Sequence, residues 1–317
     1  MYKKLFFCFS FFLFVCITPL FAQDEDSLET ECEENWDDED NNNCGWNCDW
    51  NWGDEWWHWG KGKPAIEINY GFSEPKHDKL ISKFAKAGIA EIKLGYISID
   101  NNDDCIFEFK ERYAFGSRIA TTLKSEKAGA DELSSDMYRF GLGRRSGYGY
   151  DFGSLRIFLY NENAVIWSKL DMDYYPSPIA MPQNDQVEYV TNDSRIIHRF
   201  NDDIRFGTLA EGGIRLELAR TISLNAGYET AVVFPRYMAW KHLGSFIIEE
   251  AGLNALDNFI DEIFDSSPVA APIVNFVLKN GFSYAFYSLK KEKMNWPFKT
   301  ETPLTYETFK LGVTFSF

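Results

Sequence analysis

From Lys63 onward the chain repeatedly alternates, residue by residue, between large apolar side chains and small or charged ones. In "PAIEINYGFS", Ile66, Ile68, Tyr70 and Phe72 alternate with Glu67, Asn69, Gly71 and Ser73. In "AEIKLGY", Ala90, Ile92, Leu94 and Tyr96 alternate with Glu91, Lys93 and Gly95. The same pattern sets Tyr138, Phe140 and Leu142 against Arg139, Gly141 and Gly143. In "GIRLELARTISLNAGYE" it runs twice, with Arg220 and Thr221 as a very short link. A period of two belongs to strands whose faces meet different surroundings, and two such runs joined by a short link read as a hairpin.

Which surroundings the faces meet decides the fold. A soluble antiparallel sheet turns its apolar face inward. Here the polar faces gather charges of both signs together with glycines: Glu67, Glu91, Lys93, Arg112, Arg139, Arg215, Glu217 and Lys310. The apolar faces carry large aromatics near the strand ends. That is the pattern of a barrel in lipid, apolar outside and polar inside, with aromatic girdles. Closure leaves no strand edge unpaired in hydrocarbon. Mean hydropathy is −0.32, and no internal stretch is a run of twenty apolar residues, so a bundle of membrane-spanning helices is excluded. In the run from Phe107 to Gly116, the alternation assigns Phe107, Phe109, Tyr113 and Phe115 to the apolar outer face. Arg112 then points inward, and Glu111 is a blemish on the outside.

The expected fold class is all-β: an antiparallel up-and-down transmembrane β-barrel. Upward strands fall near residues 64–73, 105–118, 152–170 and 222–231, and downward strands near 87–99, 136–146, 204–219 and 304–317. That gives eight strands, or ten if "SLRIFLY" and "AVIWSKL" are separate and one more is hidden. Links at 100–104 and 220–221 are short, whereas 74–87, 119–135 and 231–304 are long, an asymmetry typical of bacterial barrels. An eight-stranded interior just fits its side chains, so the inward charges are expected to pair as a packed polar core.

Residues 243–290 break the period. Leu253, Leu256, Ile260, Ile263 and Phe264 recur at helical spacing, the run Asp265-Ser266-Ser267-Pro268 interrupts, and a second helical stretch follows. This insertion before the last strand could cap the barrel mouth, enter the lumen, or lie on the outer leaflet.

Residues 1–22 read as a secretory signal peptide: Lys3 and Lys4, an apolar core from Leu5 to Phe21, and Ala22 before the expected cut. Residues 23–62 read as an acidic, Trp- and Cys-rich disordered tail. Residues 23–60 hold 14 of the 48 acidic side chains and no Lys or Arg, with almost no aliphatic residues to build a core. Such a charge repels nucleic acid. After export Cys32, Cys44, Cys48 and Cys105 remain, which permits disulfides; one from Cys105 to a tail cysteine would tie the tail to the barrel rim.

The chain closes on "KLGVTFSF". With the signal peptide and alternating strands, this ending resembles small bacterial outer-membrane β-barrel proteins of the porin-like type. In that family the last strand carries an assembly signal, matched here by Lys310, Gly312, Phe315 and Phe317. The resemblance covers about residues 64–230 and 304–317. It implies residence in the outer membrane of a Gram-negative envelope, contact with its lipid, handling by periplasmic chaperones, and capture of the last strand by the barrel assembly machinery.

Chemistry is sparse in the sequence. His58, His77, His198 and His242 lie near no spacing that marks a nucleophile and its base, although Ser194 and Ser245 are close in sequence to two of them. No phosphate loop, dinucleotide fingerprint or metalloprotease motif is present. No catalysis, cofactor or metal is expected. The leading expectation is a structural or interaction role at the cell surface. The alternatives are a narrow channel or transporter plugged by residues 243–290, and a lipid-modifying enzyme.

Overall fold

The computed structural model describes residues 62–103, 106–124, 132–153, 155–173, 193–201 and 203–317. The signal peptide, nearly all of the acidic tail and all the cysteines lie outside the described residues.

Eight antiparallel strands close on themselves. They are β1 (Lys63–Lys76), β3 (Ala87–Asp103), β4 (Ile106–Ala120), β5 (Glu132–Asp151), β6 (Arg156–Asp173), β7 (Ile204–Ala219), β8 (Ile222–Val233) and β9 (Leu304–Ser316). Each pairs with its neighbour in chain order, and β1 pairs with β9 to complete the cylinder. A two-residue strand, β2 (Lys83–Phe84), lies parallel to the start of β5. Arg156–Asp173 is a single strand, so the barrel has eight strands and not ten.

The register puts all the short turns at one end, with the start of β1 and the end of β9: β3–β4, β5–β6 and β7–β8. In the β5–β6 turn, Gly153 adopts φ +81°, a conformation that favours glycine, and its N–H donates to Asp151 Oδ1 at 2.6 Å. The opposite, long-loop end carries β1–β3, β4–β5, β6–β7 and β8–β9.

The β8–β9 connection holds two helices, α1 (Ala239–Ser266) and α2 (Ala271–Glu292). α1 stops at the Ser-Ser-Pro break, where the Ser267 N–H bonds back to Ile263 O; Pro272 sits in the first turn of α2, where its missing N–H costs nothing. No helix among the described residues is long and apolar enough to cross a membrane, which says nothing about crossing by strands.

Candidate functional site: a filled lumen and a covered wall

The lumen is filled in three layers. At the long-loop end an apolar layer contains Ile89, Phe115, Ile119, Met137, Ile166 and Leu170, closed from above by Ile197 and Phe200 of a short helical run at 193–200. At the short-turn end Ala65, Ile97, Phe109, Phe158 and Tyr160 form a second apolar layer. Between them lies an ionic belt in which five cations (Lys93, Arg139, Arg145, Arg215, Lys310) face six carboxylates (Glu67, Glu91, Glu111, Glu162, Glu211, Glu229), all buried.

Arg145 is the hub of the belt. Its Nε donates to Glu162 Oε2 at 2.8 Å, and its Nη1 to Glu67 Oε2 at 2.8 Å and Glu111 Oε2 at 3.0 Å. The guanidinium also lies over the Tyr160 ring, 4.3 Å from the centroid. Glu67 accepts further bonds from Asn69, Asn225 and Thr314. Lys93 Nζ reaches both Glu162 oxygens at 2.8 Å. Nearer the long-loop end, Arg139 donates to Glu229 at 2.6 Å and Glu91 at 3.2 Å. Lys310 donates to Glu91 at 2.9 Å and Glu229 at 2.7 Å, and lies 2.6 Å from Glu211. Buried ions persist only when paired and hydrogen-bonded, and removing one partner of such a pair costs about 3–5 kcal/mol. The belt therefore holds the strands to one another from inside.

Of the eight charges expected inside, the structure brings six together in the belt: Glu67, Glu91, Lys93, Arg139, Arg215 and Lys310. Glu217 sits at the rim of the short-turn end, 3.6 Å from Arg156. Arg112 does not point inward. The phase of β4 is opposite to the sequence reading: Phe109, Glu111, Tyr113, Phe115 and Ser117 face the lumen, while Arg112 shares the outer face with Lys110 and Ala114. The reason is the layering. Phe109 and Phe115 belong to the two apolar layers, and Glu111 and Tyr113 to the belt between them, so Glu111 is a belt member.

Sequence reasoning missed Arg145, Glu162, Glu211 and Glu229. Glu229 lay on a recognised polar face; Arg145 follows Arg144, and Glu162 sits between Asn161 and Asn163, where alternation gives no phase.

In the last strand, Lys310 and Gly312 face the lumen and Phe315 and Phe317 face outward. A Cβ on Gly312 would collide with the Asn69 carboxamide, so any larger residue there would have to push Asn69 aside within the belt.

The outer wall has two different halves. On β1, β3 and β9 it is a bare apolar surface: Ile68 is 55% exposed, Leu94 52% and Leu311 57%. Parts of β5 to β8 lie under the helices, while Tyr138, Phe140, Leu224 and Tyr228 stay exposed, and the outer face of β4 between the two regions carries Lys110 and Arg112. Outward-pointing Arg144 donates to Glu250 of α1 at 3.0 Å, Tyr148 packs on Phe264 with centroids 4.5 Å apart, and Tyr150 donates to Val269 O at 2.6 Å. Asn280 of α2 donates to Tyr160 O at 3.3 Å and fills the space above Gly212. Asn161, Thr230 and Val232 point outward yet are buried. Residues 243–290 therefore neither cap the mouth nor enter the lumen. The helices run down the outside of the wall, from Phe206 and Phe234 at the long-loop end to Tyr150 at the short-turn end, and a plug is not what they form.

His242 stacks on Phe234 at 4.4 Å and its Nε2 meets Arg236 O at 3.4 Å, contacts that serve packing. His198 and Ser194 are exposed on the 193–200 run. His77 lines a cavity of about 220 Å³ at the long-loop end with Lys79, Arg199, Phe200 and Glu301, and burial holds its imidazole below the ordinary pKa. Arg199 is already paired there with Glu301 at 3.2 Å. Among the described residues no group of three His, Cys, Asp or Glu is arranged to hold a metal.

No family model matches the chain, and no curated protein matches it. Among solved structures it is similar to Neisserial surface protein A, at 11% identity over 80% of this chain and 97% of that one, with a TM-score of 0.38. It is also similar to Ail, the attachment invasion locus protein of Yersinia pestis, solved in complex with the heparin analogue sucrose octasulfate (11% identity, 81% and 99%, TM-score 0.31). A third is the outer membrane protein OprG from Pseudomonas aeruginosa (9% identity, 81% and 96%, TM-score 0.26). The chain's own geometry gives the fold class: a closed, antiparallel, eight-stranded barrel of the transmembrane type, with a helical insertion before its last strand.

Proposed function

We propose that the chain is a non-conducting outer-membrane barrel with a structural or interaction role at the cell surface and no catalysis. The carrying observation is the filled lumen: an ionic belt whose cations and carboxylates pair with one another, between two apolar layers. A conducting pore needs water along its axis, whereas 16- to 18-stranded porins leave an aqueous channel that eight strands do not. The exposed Ile, Leu and Phe side chains of β1, β3 and β9 support contact with lipid, and the signal-like residues 1–22 support export. The final strand, ending Phe315-Ser316-Phe317, is then the segment that the barrel assembly machinery reads.

The test is reconstitution of the mature chain in planar bilayers, with heat-modifiable gel mobility of the membrane fraction as the check of folding. The expected result is a compact band in the outer-membrane fraction and no steady single-channel conductance. A stable open level from the compact form would overturn the non-conducting reading.

A further inference from the structure

We propose that the α1–α2 hairpin lies in the same bilayer as the barrel, its outward face in contact with acyl chains. The hairpin thus acts as a helical outer layer of the membrane-spanning wall. The inference rests on the barrel's being lipid-embedded and adds to that reading the placement of helices no single one of which qualifies as a membrane span.

Four observations carry it. First, the hairpin occupies the depth of the strands, since its contacts run from Phe206 at the top of β7 to Tyr150 at the foot of β5. Whatever surrounds the wall at that depth surrounds the hairpin.

Second, the hairpin is inverted in the same sense as the barrel. Its polar side chains turn to the wall or to each other: Glu250 to Arg144, Asn280 to Tyr160 O, Lys290 to Glu249 at 2.5 Å, and Lys279 to Asp257. Its outward face is apolar. On α1 this face carries Trp240 (85% exposed), Leu243, Ile247, Ile248 and Phe259, broken by Asn254, Asn258 and the half-exposed, Lys279-paired Asp257; on α2 it carries Ile273, Val277 (58%), Tyr284 and Leu289, broken by Ser288. Water would reverse that preference. Hydropathy averaged over a whole helix mixes the two faces and so hides it.

Third, the lengths match. Leu243 to Phe259 and Ile273 to Leu289 each cover seventeen residues, whose sixteen rises make ~24 Å of helix, against an apolar band of about 25 Å on barrels of this kind. Beyond the band the chain turns charged: exposed Asp261, Glu262 and Asp265 at the short-turn end, and Lys291 and Lys293 at the other.

Fourth, the wall under the hairpin is unfit for lipid. Arg144, Ser146, Asn161 and Asn163 point outward on β5 and β6, and hydrocarbon offers them no partners. Ser146 donates to Asn161 at 3.3 Å within the wall, α1 supplies Glu250 to Arg144, and the hairpin turns an apolar surface outward.

The experiment uses the full mature chain, with Cys32, Cys44, Cys48 and Cys105 replaced by serine, folded into phospholipid vesicles. A nitroxide is attached in turn at Ile247→Cys, Val277→Cys, Leu94→Cys and Asp265→Cys. Collision rates with dissolved oxygen, which favours hydrocarbon, and with a water-soluble nickel chelate are read at each site. Expected are oxygen-to-nickel ratios at Ile247 and Val277 several-fold above that at Asp265 and close to that at Leu94 on the bare wall. A high ratio at Leu94 with low ratios at both hairpin sites overturns this proposal and leaves the barrel reading standing; low ratios at all four overturn both. Each labelled chain is first checked for heat-modifiable mobility. Ile248→Cys and Ile273→Cys replace any site whose label prevents folding.

Discussion

The bare and covered halves of the wall solve one problem in opposite ways. On β1, β3 and β9 the outward side chains through the middle of the wall are mostly large hydrocarbon or aromatic groups, and the strand alone separates lipid from the ionic belt. On β5 and β6 the outward positions include Arg144, Ser146, Asn161 and Asn163, and a second protein layer does the separating. A strand in the first half has two chemically distinct faces, whereas the stretches around Arg144 and Asn161 in the second have protein on both. On β5 and β6 outward polarity reports what covers the strand as well as how it is phased.

The comparison breaks most completely if the cover is removed. Replacing residues 239–292 with a short Gly-Ser linker exposes Arg144, Asn161 and Asn163. The expected outcome is loss of the compact heat-modifiable band, the largest effect of the set. Any residual folded fraction stays non-conducting, because the helices never occupied the lumen.

Single substitutions then give mirror-image results. On the bare wall a new cation is costly: Leu94→Arg is expected to destabilise by about 2–4 kcal/mol, read from denaturant unfolding in vesicles. On the covered wall the loss of a cation is costly: Arg144→Leu leaves Glu250 without its donor. Because Arg144 is 43% exposed, the expected cost is discounted to about 1 kcal/mol. If Arg144→Leu were to stabilise the protein, the covered wall would be behaving as the bare wall does.

The smallest effect sharpens the boundary. Gly212→Ala drives a methyl into the Asn280 side chain and disturbs its bond to Tyr160 O, at an expected cost of about 1 kcal/mol. Gly116→Ala, on the outer face of β4, places its methyl where nothing lies within 4 Å. It is expected to be neutral or to stabilise by up to about 1 kcal/mol, by restricting the unfolded chain. Equal destabilisation by both would remove the distinction.

The same contrast explains what could be read in the sequence. β1, β3 and β9 were legible because lipid on one side and the lumen on the other impose a period of two: Ile66 to Phe72, Ala90 to Tyr96 and Phe309 to Phe317 show it cleanly. Around Arg144-Arg145 and Asn161-Glu162-Asn163 consecutive residues are polar, because one faces the belt and its neighbour faces a helix. Alternation carries no phase there, and Arg145, the centre of the belt, was invisible. β4 was misphased for a different reason. Its inward aromatics belong to apolar layers inside the lumen, which an apolar-out, polar-in rule does not anticipate. The helices themselves were evident from the spacing of Leu253, Leu256, Ile260 and Ile263. Their place against the outer wall was not, because no local pattern records which surface a distant segment will find.

Lys310 belongs to the final staves of the cylinder in chain order, yet its ammonium group serves carboxylates from β3, β7 and β8. Until that stave docks, Glu91, Glu211 and Glu229 lack one of their counter-ions, and the six acids of the belt share four cations. Joining the first stave to the last therefore adds the fifth cation to the six acids in the same motion that shuts the seam.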